Sequence, residues 1–292
     1  MKLWDSIAHQ IGDASGEPFH IRHCSPVGGG CINSAWRVEG GSRRYFVKLN
    51  DADKLAMFEA ERDGLNEIAS THTVRVPQPH CVGLADGQAF LVMEYLELGG
   101  KGGAEQLGQQ LAAMHRVTHE RYGWYRDNTI GTTEQPNEET DDWFEFICEQ
   151  RLGHQLDLAL KNGYGGRLRR LGEETLDRFP DLFRDYLPPA SLLHGDLWGG
   201  NFAVIVNGEP VIFDPAVYYG DREADIAMTE LFGGFPPAFY DAYNEVWPLD
   251  HGYQLRKILY NTYHVLNHLN LFGGGYGAQA EEMMERLLSH LR

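Results

Sequence analysis

The chain has 292 residues, 42% of them hydrophobic, with 25 basic and 42 acidic residues and a formal charge of −17. This apolar fraction is ordinary for a globular protein and argues against disorder, and the length favours two lobes over a single hydrophobic core. The negative charge makes nucleic-acid binding unfavourable. It also repels any anionic ligand, so local cations and a metal ion must offset this field wherever such a ligand binds.

No run of residues approaches the length of a membrane span, and the N-terminus lacks the apolar core of a signal peptide. An apolar helix stripe begins at Leu3 instead. The cysteines show none of the spacings typical of a metal site, which predicts reduced thiols. We therefore expect a cytoplasmic protein that binds neither membranes nor nucleic acid. The four cysteines are Cys24, Cys31, Cys81 and Cys148.

The N-terminal part of the chain predicts a small lobe built mainly from strands. Residues 19–25 and 35–38 have strand character, and a glycine-rich turn over residues 27–34 lies between them. Glycines such as Gly29 and Gly30 let the backbone approach a phosphate group and direct N–H groups at it. Taken alone, three successive glycines more often form a flexible loop, so the significance of this turn depends on the motifs further along the chain.

A strand over residues 45–49 carries one lysine, Lys48, among apolar residues. This pattern is typical of the lysine that pairs with nucleotide phosphates. The alternative is a lysine that extends from an edge strand into solvent, and that interpretation would prevail without the motifs downstream.

The helix after this strand offers two acidic partners for Lys48, namely Glu59 and Glu61. Residues two apart lie on nearly opposite faces of a helix, so only one of them can point inward. Glu61 falls within the apolar arc of the helix, where a carboxylate is costly unless it is paired. We therefore predict Glu61 as the partner of Lys48 and Glu59 as a solvated charge. The arc consists of Met57, Phe58, Leu65 and Ile68.

A further strand over residues 89–93 ends at Glu94, and a glycine-rich connector comes next over residues 99–103. In a nucleotide-binding lobe, backbone groups near Glu94 and Leu96 would pair with the adenine edge. The alternative is a strand end with a capping acid. We place the boundary here, with a nucleotide-binding, β-rich lobe over residues 1–95 and a mainly helical lobe over residues 96–292.

The second lobe shows helical periodicity over most of its length, and residues 122–137 are its longest predicted loop. Helices are predicted from about residue 104 and over residues 143–160, 167–179, 222–232, 238–247, 255–271 and 278–291.

The most informative motif is His-Gly-Asp-Leu-Trp-Gly-Gly-Asn over residues 194–201, with Ile-Phe-Asp after it over residues 212–214. Protein kinases use this order for a catalytic Asp, a metal-binding Asn and a metal-binding Asp, with glycine here in place of the usual arginine after the histidine. Each residue alone is typical of a turn cap, but the three together are not. The motif predicts Asp196 as catalytic and Asn201 and Asp214 as ligands of Mg²⁺.

Two residues are predicted to support this catalytic loop. His194 is a structural anchor rather than a base, and Asp225, which precedes an apolar run, points inward to hold the backbone of the loop.

Together these motifs closely resemble the fructosamine kinase (ketosamine 3-kinase) family, which is related to the aminoglycoside phosphotransferases. Trp198 and the Leu-Phe-Gly-Gly-Phe-Pro run over residues 231–236 distinguish this family from aminoglycoside and choline kinases. The resemblance spans nearly the whole chain and rests on residues 28–34, 46–48, 57–61, 194–201, 231–236 and 266–273.

The resemblance implies an α+β, bilobal protein-kinase-like fold with a small antiparallel β lobe, one helix of the αC type and a larger helical lobe. It also implies an ATP- and Mg²⁺-dependent kinase that phosphorylates the 3-hydroxyl of ketosamines. The 3-phosphate product is unstable and falls apart, which frees the amine and amounts to deglycation. In this scheme Asp196 orients the sugar hydroxyl, Lys48 fixes the nucleotide, and backbone N–H groups near Asn33 and Ser34 cover the phosphates.

Three further residues are candidates for substrate binding or regulation. Trp198 stacks on the sugar and His268 reaches it from a C-terminal helix, although both residue types on such segments are often core packing. Cys31 lies in the glycine-rich turn, where oxidation or a disulfide-linked dimer would disturb phosphate binding; the alternative is an inert thiol. A monomer and a redox-linked dimer both remain open.

Three other functions compete with a ketosamine kinase. A sister enzyme of the same fold could phosphorylate another small hydroxyl compound, because fold does not fix substrate. A pseudokinase is disfavoured because Lys48, Asp196, Asn201 and Asp214 are all present. A metallohydrolase built on His194 and Asp196 is disfavoured because no His-x-x-x-His or similar ligand pair accompanies them. The preferred sugar, and whether the substrate amine is free or protein-bound, are left open.

Overall fold

The computed structural model describes residues 3–28 and 32–291. The chain forms two compact units. Unit 1 comprises Met1–Gly103 and Ala203–Pro215, and unit 2 comprises Ala104–Phe202 and Ala216–Arg292. The sequence analysis divides the chain once, between residues 95 and 96, whereas here the first unit continues to Gly103 and also contains a later segment with Asp214.

The helices and strands are numbered in chain order. The first half contains α1 (Leu3–Ser15), β1 (His23–Val27), β2 (Ser34–Gly40), β3 (Arg43–Asp51), α2 (Leu55–Ser70), β4 (Pro79–Ala85), β5 (Gln88–Glu94), α3 (Ala104–His115), β6 (Thr118–His119), β7 (Asn128–Ile130), β8 (Thr133–Gln135) and α4 (Trp143–Phe146). The second half contains α5 (Leu152–Lys161), α6 (Arg167–Arg178), β9 (Ala190–Leu193), β10 (Phe202–Val204), β11 (Pro210–Ile212), β12 (Tyr218–Gly220), α7 (Glu223–Leu231), α8 (Pro237–Val246), α9 (Tyr253–Phe272) and α10 (Tyr276–His290).

Unit 1 is organised around a five-stranded sheet with the order β1-β2-β3-β5-β4, in which neighbouring strands are antiparallel. Helix α1 packs against β4, and α2 packs against β4 and β5. The strand predicted over residues 19–25 begins only at His23, because Phe19 precedes the ladder and is instead buried in the core. Residues that share this core include Ile7, Ile11, Phe19, Val38, Val47, Leu49, Phe90 and Val92.

The alternation of side chains along β3 sets the direction of Lys48. Its neighbours Val47 and Leu49 belong to the hydrophobic core that includes residues of α1. Successive side chains of a strand point to opposite faces of the sheet. Lys48 therefore lies on the face opposite to this core.

Unit 2 is mainly helical. Helix α9 packs against α5, α7 and α10, and α3 packs against α8. Most residues of α9 are buried, as is expected of a helix that other helices surround. At the start of α7, Glu223 accepts hydrogen bonds from Nε and Nη2 of Arg256 on α9, at 2.8 and 2.9 Å. This buried ion pair ties the two helices together.

The structure corrects the sequence prediction for residues 122–137 of unit 2. They were expected to form a loop, but β7 and β8 pair there as an antiparallel hairpin, and Asn128, Gln135 and Asn137 are buried. Strands this short and polar lack the apolar alternation from which a hairpin is predicted. Elsewhere in the unit, β12, β9 and β6 form an antiparallel sheet. Within the described ranges 3–28 and 32–291, no helix is both long and apolar enough to cross a membrane.

Candidate active site

In unit 1, Lys48 joins two carboxylates that lie far apart in the sequence. Its Nζ is 2.5 Å from Oε1 of Glu61 and 2.6 Å from Oδ1 of Asp214. Lys48 itself is 7% exposed. Glu61 on α2 is the acid that the sequence analysis chose over Glu59 as the partner of Lys48, because it lies on the same arc as the buried Phe58 and Leu65.

Asp214 stands two residues beyond the end of β11, in a sharp change of chain direction. Its φ of 58° lies in the left-handed region, which a non-glycine residue rarely adopts and which often marks a functional site. The preceding strand is anchored because the N–H of Ile212 donates to the carbonyl of Arg75 at 3.0 Å. The Asp214 side chain remains 47% exposed, so its carboxylate is available to a ligand.

Burial and neighbouring charges shift the pKa values of Lys48 and Glu61 in opposite directions. Burial alone would lower the pKa of Lys48, but the carboxylates of Asp214 and Glu61 more than offset it and raise that pKa. Burial also raises the pKa of Glu61, against the opposing charge of Lys48. Lys48 is therefore a fixed positive charge at every physiological pH, held in place by two acids.

Glu94, predicted at the adenine-binding strand end, has its side chain already engaged. Nη2 of Arg75 lies 2.5 and 2.6 Å from its two carboxylate oxygens, and its backbone N–H donates to the carbonyl of Gln78 at 2.8 Å. Arg75 therefore links the end of β5 to the strand that precedes Asp214. A lone arginine between strands carries no recognisable pattern, so the role of Arg75 could not be predicted from the sequence.

The structure describes residues 27–28 and 32–34 of the glycine-rich turn. Gly29, Gly30 and Cys31 lie outside the described residues, so their predicted roles stay predictions. Oδ1 of Asn33 accepts a hydrogen bond from Nδ2 of Asn50 at 2.7 Å, and Ser34 begins β2. These contacts fix the end of the turn that leads into the sheet.

In unit 2, Asp225 holds the backbone of the loop that the sequence predicts to be catalytic. The N–H groups of His194 and Gly195 donate to its two carboxylate oxygens, at 2.7 and 2.9 Å. This is the contact that the sequence analysis expected of Asp225. Gly195 has a φ of 83°, and a Cβ at this position would collide with the carbonyl oxygen of Ala216. The glycine that replaces the usual arginine is therefore required by the close approach of the two segments.

His115 on α3 stabilises the negative charge of Asp225. Nε2 of His115 on α3 lies 3.1 Å from Oδ2 of Asp225, and both residues are buried. Burial alone would raise the pKa of Asp225, but the hydrogen bonds from His115 and from the loop N–H groups lower it. Asp225 therefore stays ionised. The sequence gives no sign of this contact, because the two partners lie 110 residues apart.

Asp196 and Asn201 contact each other directly. Nδ2 of Asn201 donates to the backbone oxygen of Asp196 at 2.9 Å and to its carboxylate at 3.3 Å. Because the amide nitrogen faces Asp196, the Asn201 side chain offers only its carbonyl oxygen to another ligand. The N–H of Asp196 donates to Nδ1 of the buried His194 at 3.2 Å, so His194 anchors the loop through an acceptor nitrogen.

The oxygen donors predicted for a metal suit Mg²⁺ by their chemistry. Mg²⁺ prefers hard oxygen ligands and is commonly held by one or two side chains together with substrate phosphates. The Asn201 carbonyl and the half-exposed Asp214 carboxylate are donors of this kind. In the part of the chain that the structure describes, no group of three or more His, Cys, Asp or Glu residues could hold a metal ion by itself.

The predicted substrate residues are joined by a third aromatic ring. Trp198 is 40% exposed, and its ring centroid lies 6.5 Å from that of Phe232, which in turn lies 4.7 Å from that of His268. Nδ1 of His268 lies 2.8 Å from the carbonyl of His264. Phe232 falls within the family-specific run over residues 231–236, but the sequence alone gave it no role.

The sequence analysis also missed the polar support beneath the catalytic loop. Nδ2 of Asn128 donates to the carbonyl of Val217 at 2.7 Å, and Nε2 of Gln135 donates to that of Ala216 at 3.1 Å. The N–H of Ala216 then donates to the carbonyl of His194 at 2.8 Å. The hairpin formed by β7 and β8 therefore supports the loop that carries Asp196.

The chain is similar to known proteins over nearly its whole length. A sequence model of the fructosamine kinase family matches residues 3–290. The chain is 49% identical to a protein assigned as a ketoamine kinase in Synechocystis sp., covering 98% of this chain and 97% of that one. It is 43% identical to the chloroplastic protein-ribulosamine 3-kinase of Arabidopsis thaliana, covering 95% of this chain and 86% of that one.

Solved structures show the same relationship. A crystal structure assigned as a fructosamine-3-kinase from Haemophilus somnus superposes with a TM-score of 0.90 at 30% identity and covers 98% of both chains. The aminoglycoside phosphotransferase APH(4)-Ia, solved with AMP-PNP and hygromycin B, has a TM-score of 0.64 at 14% identity over 97% of this chain and 98% of that one. The second likeness shows the fold alone.

The fold is of the α+β, kinase-like class, which confirms the predicted fold class, and the named relatives show that the chain is a phosphotransferase acting on hydroxyl groups. Within that class, the chain belongs to the fructosamine kinase family.

Proposed function

We propose that this protein is an ATP- and Mg²⁺-dependent kinase that phosphorylates the 3-hydroxyl of ketosamines, the sugar–amine adducts of the fructosamine and ribulosamine type. Relatives assigned as ketoamine kinase, ribulosamine 3-kinase and fructosamine-3-kinase support this substrate class. The 3-phosphate product decomposes: its phosphate is eliminated as inorganic phosphate, and hydrolysis then separates the free amine from the sugar, which leaves as a dicarbonyl compound.

The observation that carries the proposal is the pairing of buried Lys48 with both Glu61 and Asp214 in a chain of this family. A lysine held between a helix glutamate and the aspartate after a later strand is the arrangement that kinases use to grip nucleotide phosphates. Its fixed positive charge also gives an anionic nucleotide a local attraction on a chain whose net charge is −17. The ATP analogue in the structure of APH(4)-Ia supports a nucleotide as the donor substrate.

In this proposal the Asn201 carbonyl and the Asp214 carboxylate would hold Mg²⁺. When bound, it supplies the charge neutralisation that phosphate oxygens need during transfer. Asn201 suits this role because its amide nitrogen is committed to Asp196, and Asp214 suits it because half of its side chain stays exposed.

Asp196 is the proposed catalytic residue on the acceptor side. Its carboxylate accepts a hydrogen bond from the sugar hydroxyl and orients that oxygen for in-line attack, with Asp225 and His194 as positioning residues for the loop. Trp198 stacks on the sugar, and His268 offers it a hydrogen bond. Because transfer of a phosphoryl group leaves little covalent work to the protein, catalysis consists mainly of positioning and charge stabilisation.

A substrate panel coupled to ADP release tests the proposal. Fructose- and ribulose-derived amines are expected to give ADP only in the presence of enzyme, ATP and Mg²⁺, and the phosphorylated product is expected to release its amine on standing. ADP release with aminoglycosides or choline, and none with any ketosamine, would instead identify a related hydroxyl kinase of the same fold. Phosphate release without ATP would contradict both.

A further inference from the structure

Arg151 in unit 2 is a buried cation whose hydrogen-bond partners are neutral. The residue is 1% exposed. Its Nη1 donates to the carbonyls of Pro136 and Gln150 at 2.6 and 2.8 Å, and its Nη2 donates to Oδ1 of Asn137 at 2.6 Å. A buried charge is costly unless an opposite charge pairs with it. Costs of this kind are commonly borne at functional sites, so the surroundings of Arg151 were traced toward the proposed catalytic groups.

The backbone at Arg151 departs from a regular helix. A π-helical turn over Ile147–Arg151 lies between α4 and α5, and such turns are frequent at functional sites. The chain is closely packed here, because a Cβ at Gly153 would collide with the carbonyl oxygen of Cys148. The π-helical turn therefore sets the direction in which the Arg151 side chain leaves the backbone.

The Arg151 side chain reaches residues 216–218 by two routes. On the first, Nδ2 of Asn137 donates to Oδ1 of Asn128 at 3.0 Å, and Nδ2 of Asn128 donates to the carbonyl of Val217 at 2.7 Å. On the second, the guanidinium carbon lies 4.0 Å from the ring centroid of Tyr218. The two routes end on neighbouring residues, so the guanidinium group fixes this segment from two directions.

Residues 216–218 in turn lie against the start of the proposed catalytic loop. The N–H of Ala216 donates to the carbonyl of His194 at 2.8 Å. Tyr218 on β12 pairs with Leu193, the last residue of β9. Because His194 follows Leu193 directly, the position of residues 216–218 sets where the loop leaves β9.

We infer that Arg151 is a positioning residue for the transfer of phosphate. It holds residues 216–218 against β9 and thereby fixes the place at which Asp196 presents its carboxylate to the acceptor hydroxyl. The inference rests on the proposed function and deepens it, since it adds a residue that contacts neither the sugar nor the nucleotide. A planar guanidinium group suits this task because it donates in fixed directions and stacks on a ring at the same time, whereas a lysine ammonium group does neither.

Substitution of Arg151 tests the inference through kcat, measured as ADP release. Arg151→Lys keeps the charge but loses the planar fork, so kcat should fall about tenfold while KM for ATP stays nearly unchanged. Arg151→Met loses the charge as well, and kcat should fall about a hundredfold, the scale of a 1 Å misplacement. A kcat for Arg151→Lys within about twofold of the wild type would overturn the inference, because the charge alone would then suffice.

Asn137→Ala approaches the same path from its other end and leaves Arg151 in place. Because the two side chains act along one path, the double variant Asn137→Ala/Arg151→Lys should lose less kcat than the product of the two single effects. Single effects that multiply in full would show that the two residues act independently, and would overturn the inference.

Hydrogen–deuterium exchange supplies a measurement that needs no substrate. In Arg151→Lys, the peptide over residues 190–201 should exchange about threefold faster or more, while a peptide of α10 keeps its wild-type rate. Unchanged exchange over residues 190–201 would overturn the inference whatever the substrate is. If the wild type phosphorylated another hydroxyl compound and no ketosamine, the proposed function would fall, and the kcat comparison would be made with that compound.

Gln150→Leu is the matched control. Gln150 lies in the same π-helical turn, is 8% exposed and donates through Nε2 to the carbonyl of Glu138 at 2.6 Å. The variant loses a buried hydrogen bond of this turn but none that leads to residues 216–218. It should unfold at lower urea concentration and keep both its kcat and the exchange rate over residues 190–201. Equal losses of kcat in Gln150→Leu and Arg151→Lys would reduce Arg151 to a general structural role and overturn the inference.

Discussion

The two clusters of candidate catalytic residues are held by different forces. In unit 1, Lys48 is positioned by charge, between the carboxylates of Glu61 and Asp214. In unit 2, Asp196 is positioned by geometry, because its loop is hydrogen-bonded through backbone groups to Asp225. A charged cluster suits a group that must grip a charged ligand. A backbone-anchored loop suits a group that must present one oxygen acceptor at a defined place.

This comparison predicts that the two clusters respond differently to substitution. Loss of a charge in unit 1 should affect nucleotide binding and leave a buried acid unpaired. Loss of the carboxylate in unit 2 should affect transfer alone, and loss of its polar support should affect the rate before it affects binding. Substitutions at Asp196, Lys48 and Gln135 separate these cases.

The largest effect is expected from Asp196→Asn. The amide keeps the shape of the side chain but is a much weaker acceptor for the hydroxyl proton, so kcat should fall by about a thousandfold. Nucleotide affinity, measured by calorimetry, should change little because Asp196 lies in the cluster of unit 2. Asp177→Asn, an exposed change on α6, is the control and should behave as wild type. A variant that kept a tenth of the activity would remove Asp196 from the proposed mechanism.

Lys48→Met should lower kcat/KM for ATP by roughly a hundredfold, the scale of losing one charged stabilising group. It should also destabilise the fold by about 3–5 kcal/mol in urea denaturation, because the buried Glu61 carboxylate then lacks its partner. The double variant Lys48→Met/Glu61→Gln should recover much of that stability but none of the activity. Lys54→Met, on the exposed turn before α2, should leave both quantities unchanged.

The part of each cluster that depends on charge and periodicity could be predicted from the sequence. Glu61 was separable from Glu59 because only one of them lies on the apolar arc of α2, and Asp214 was recognisable at the end of a strand. The polar support in unit 2 could not be predicted in the same way. Gln135 reaches the carbonyl of Ala216 across 81 residues, and no local pattern specifies which distant carbonyl a buried amide will find.

Some features of the fold could not be predicted either, because local sequence patterns do not reveal them. The periodicity of residues 143–160 predicted one helix, but a π-helical turn over Ile147–Arg151 interrupts it between α4 and α5, and the apolar pattern does not register such a change of hydrogen bonding. The hairpin of β7 and β8 was missed because its buried side chains are polar. Burial of polar groups is decided by the partners that tertiary structure supplies.

Gln135→Leu tests the support that the sequence did not reveal. Removing the amide leaves the Ala216 carbonyl and the Tyr263 hydroxyl, its partners at 3.1 and 2.6 Å, without these hydrogen bonds, which should cost about 1–3 kcal/mol of stability. It should also lower kcat about tenfold through small displacement of the catalytic loop, with KM nearly unchanged.

Gln155→Leu is the matched control for this substitution. Gln155 is equally buried but bonds to Asn267 and Asn270 rather than to the segment beneath the loop. It should lose similar stability and keep its kcat. If the two variants lost kcat to the same degree, Gln135 would have only a general structural role.

The smallest predicted effect is a change with pH in the free energy of unfolding, caused by His264 in unit 2. Burial, and the charge of His268 to a lesser degree, lower the pKa of His264 to about 3, with Asp225 and Arg151 as the other charged neighbours. The unfolded chain binds a proton at about pH 6.5, while the folded chain resists it. His264 therefore makes its full contribution to the free energy of unfolding above that pH. As the pH falls, this contribution is lost, and the loss amounts to about 2 kcal/mol between pH 6.5 and pH 5.

Urea denaturation at both pH values measures this loss. The unfolding free energy of His264→Leu should fall by about 2 kcal/mol less than that of the wild type over the same interval. His290→Leu, on the exposed end of α10, should follow the wild-type curve. Parallel curves for His264→Leu and wild type would show that His264 is not held neutral by burial.

The central claim is that both clusters serve one reaction, the transfer of phosphate from ATP to the 3-hydroxyl of a ketosamine. The most direct measurement is a single turnover with ATP labelled in its γ-phosphate, with nuclear magnetic resonance of the sugar product before it decomposes. We predict that the label appears on the oxygen at carbon 3, and that it fails to appear there with Asp196→Asn. Label found on the protein, at another sugar carbon, or in inorganic phosphate without any earlier sugar 3-phosphate would contradict the account.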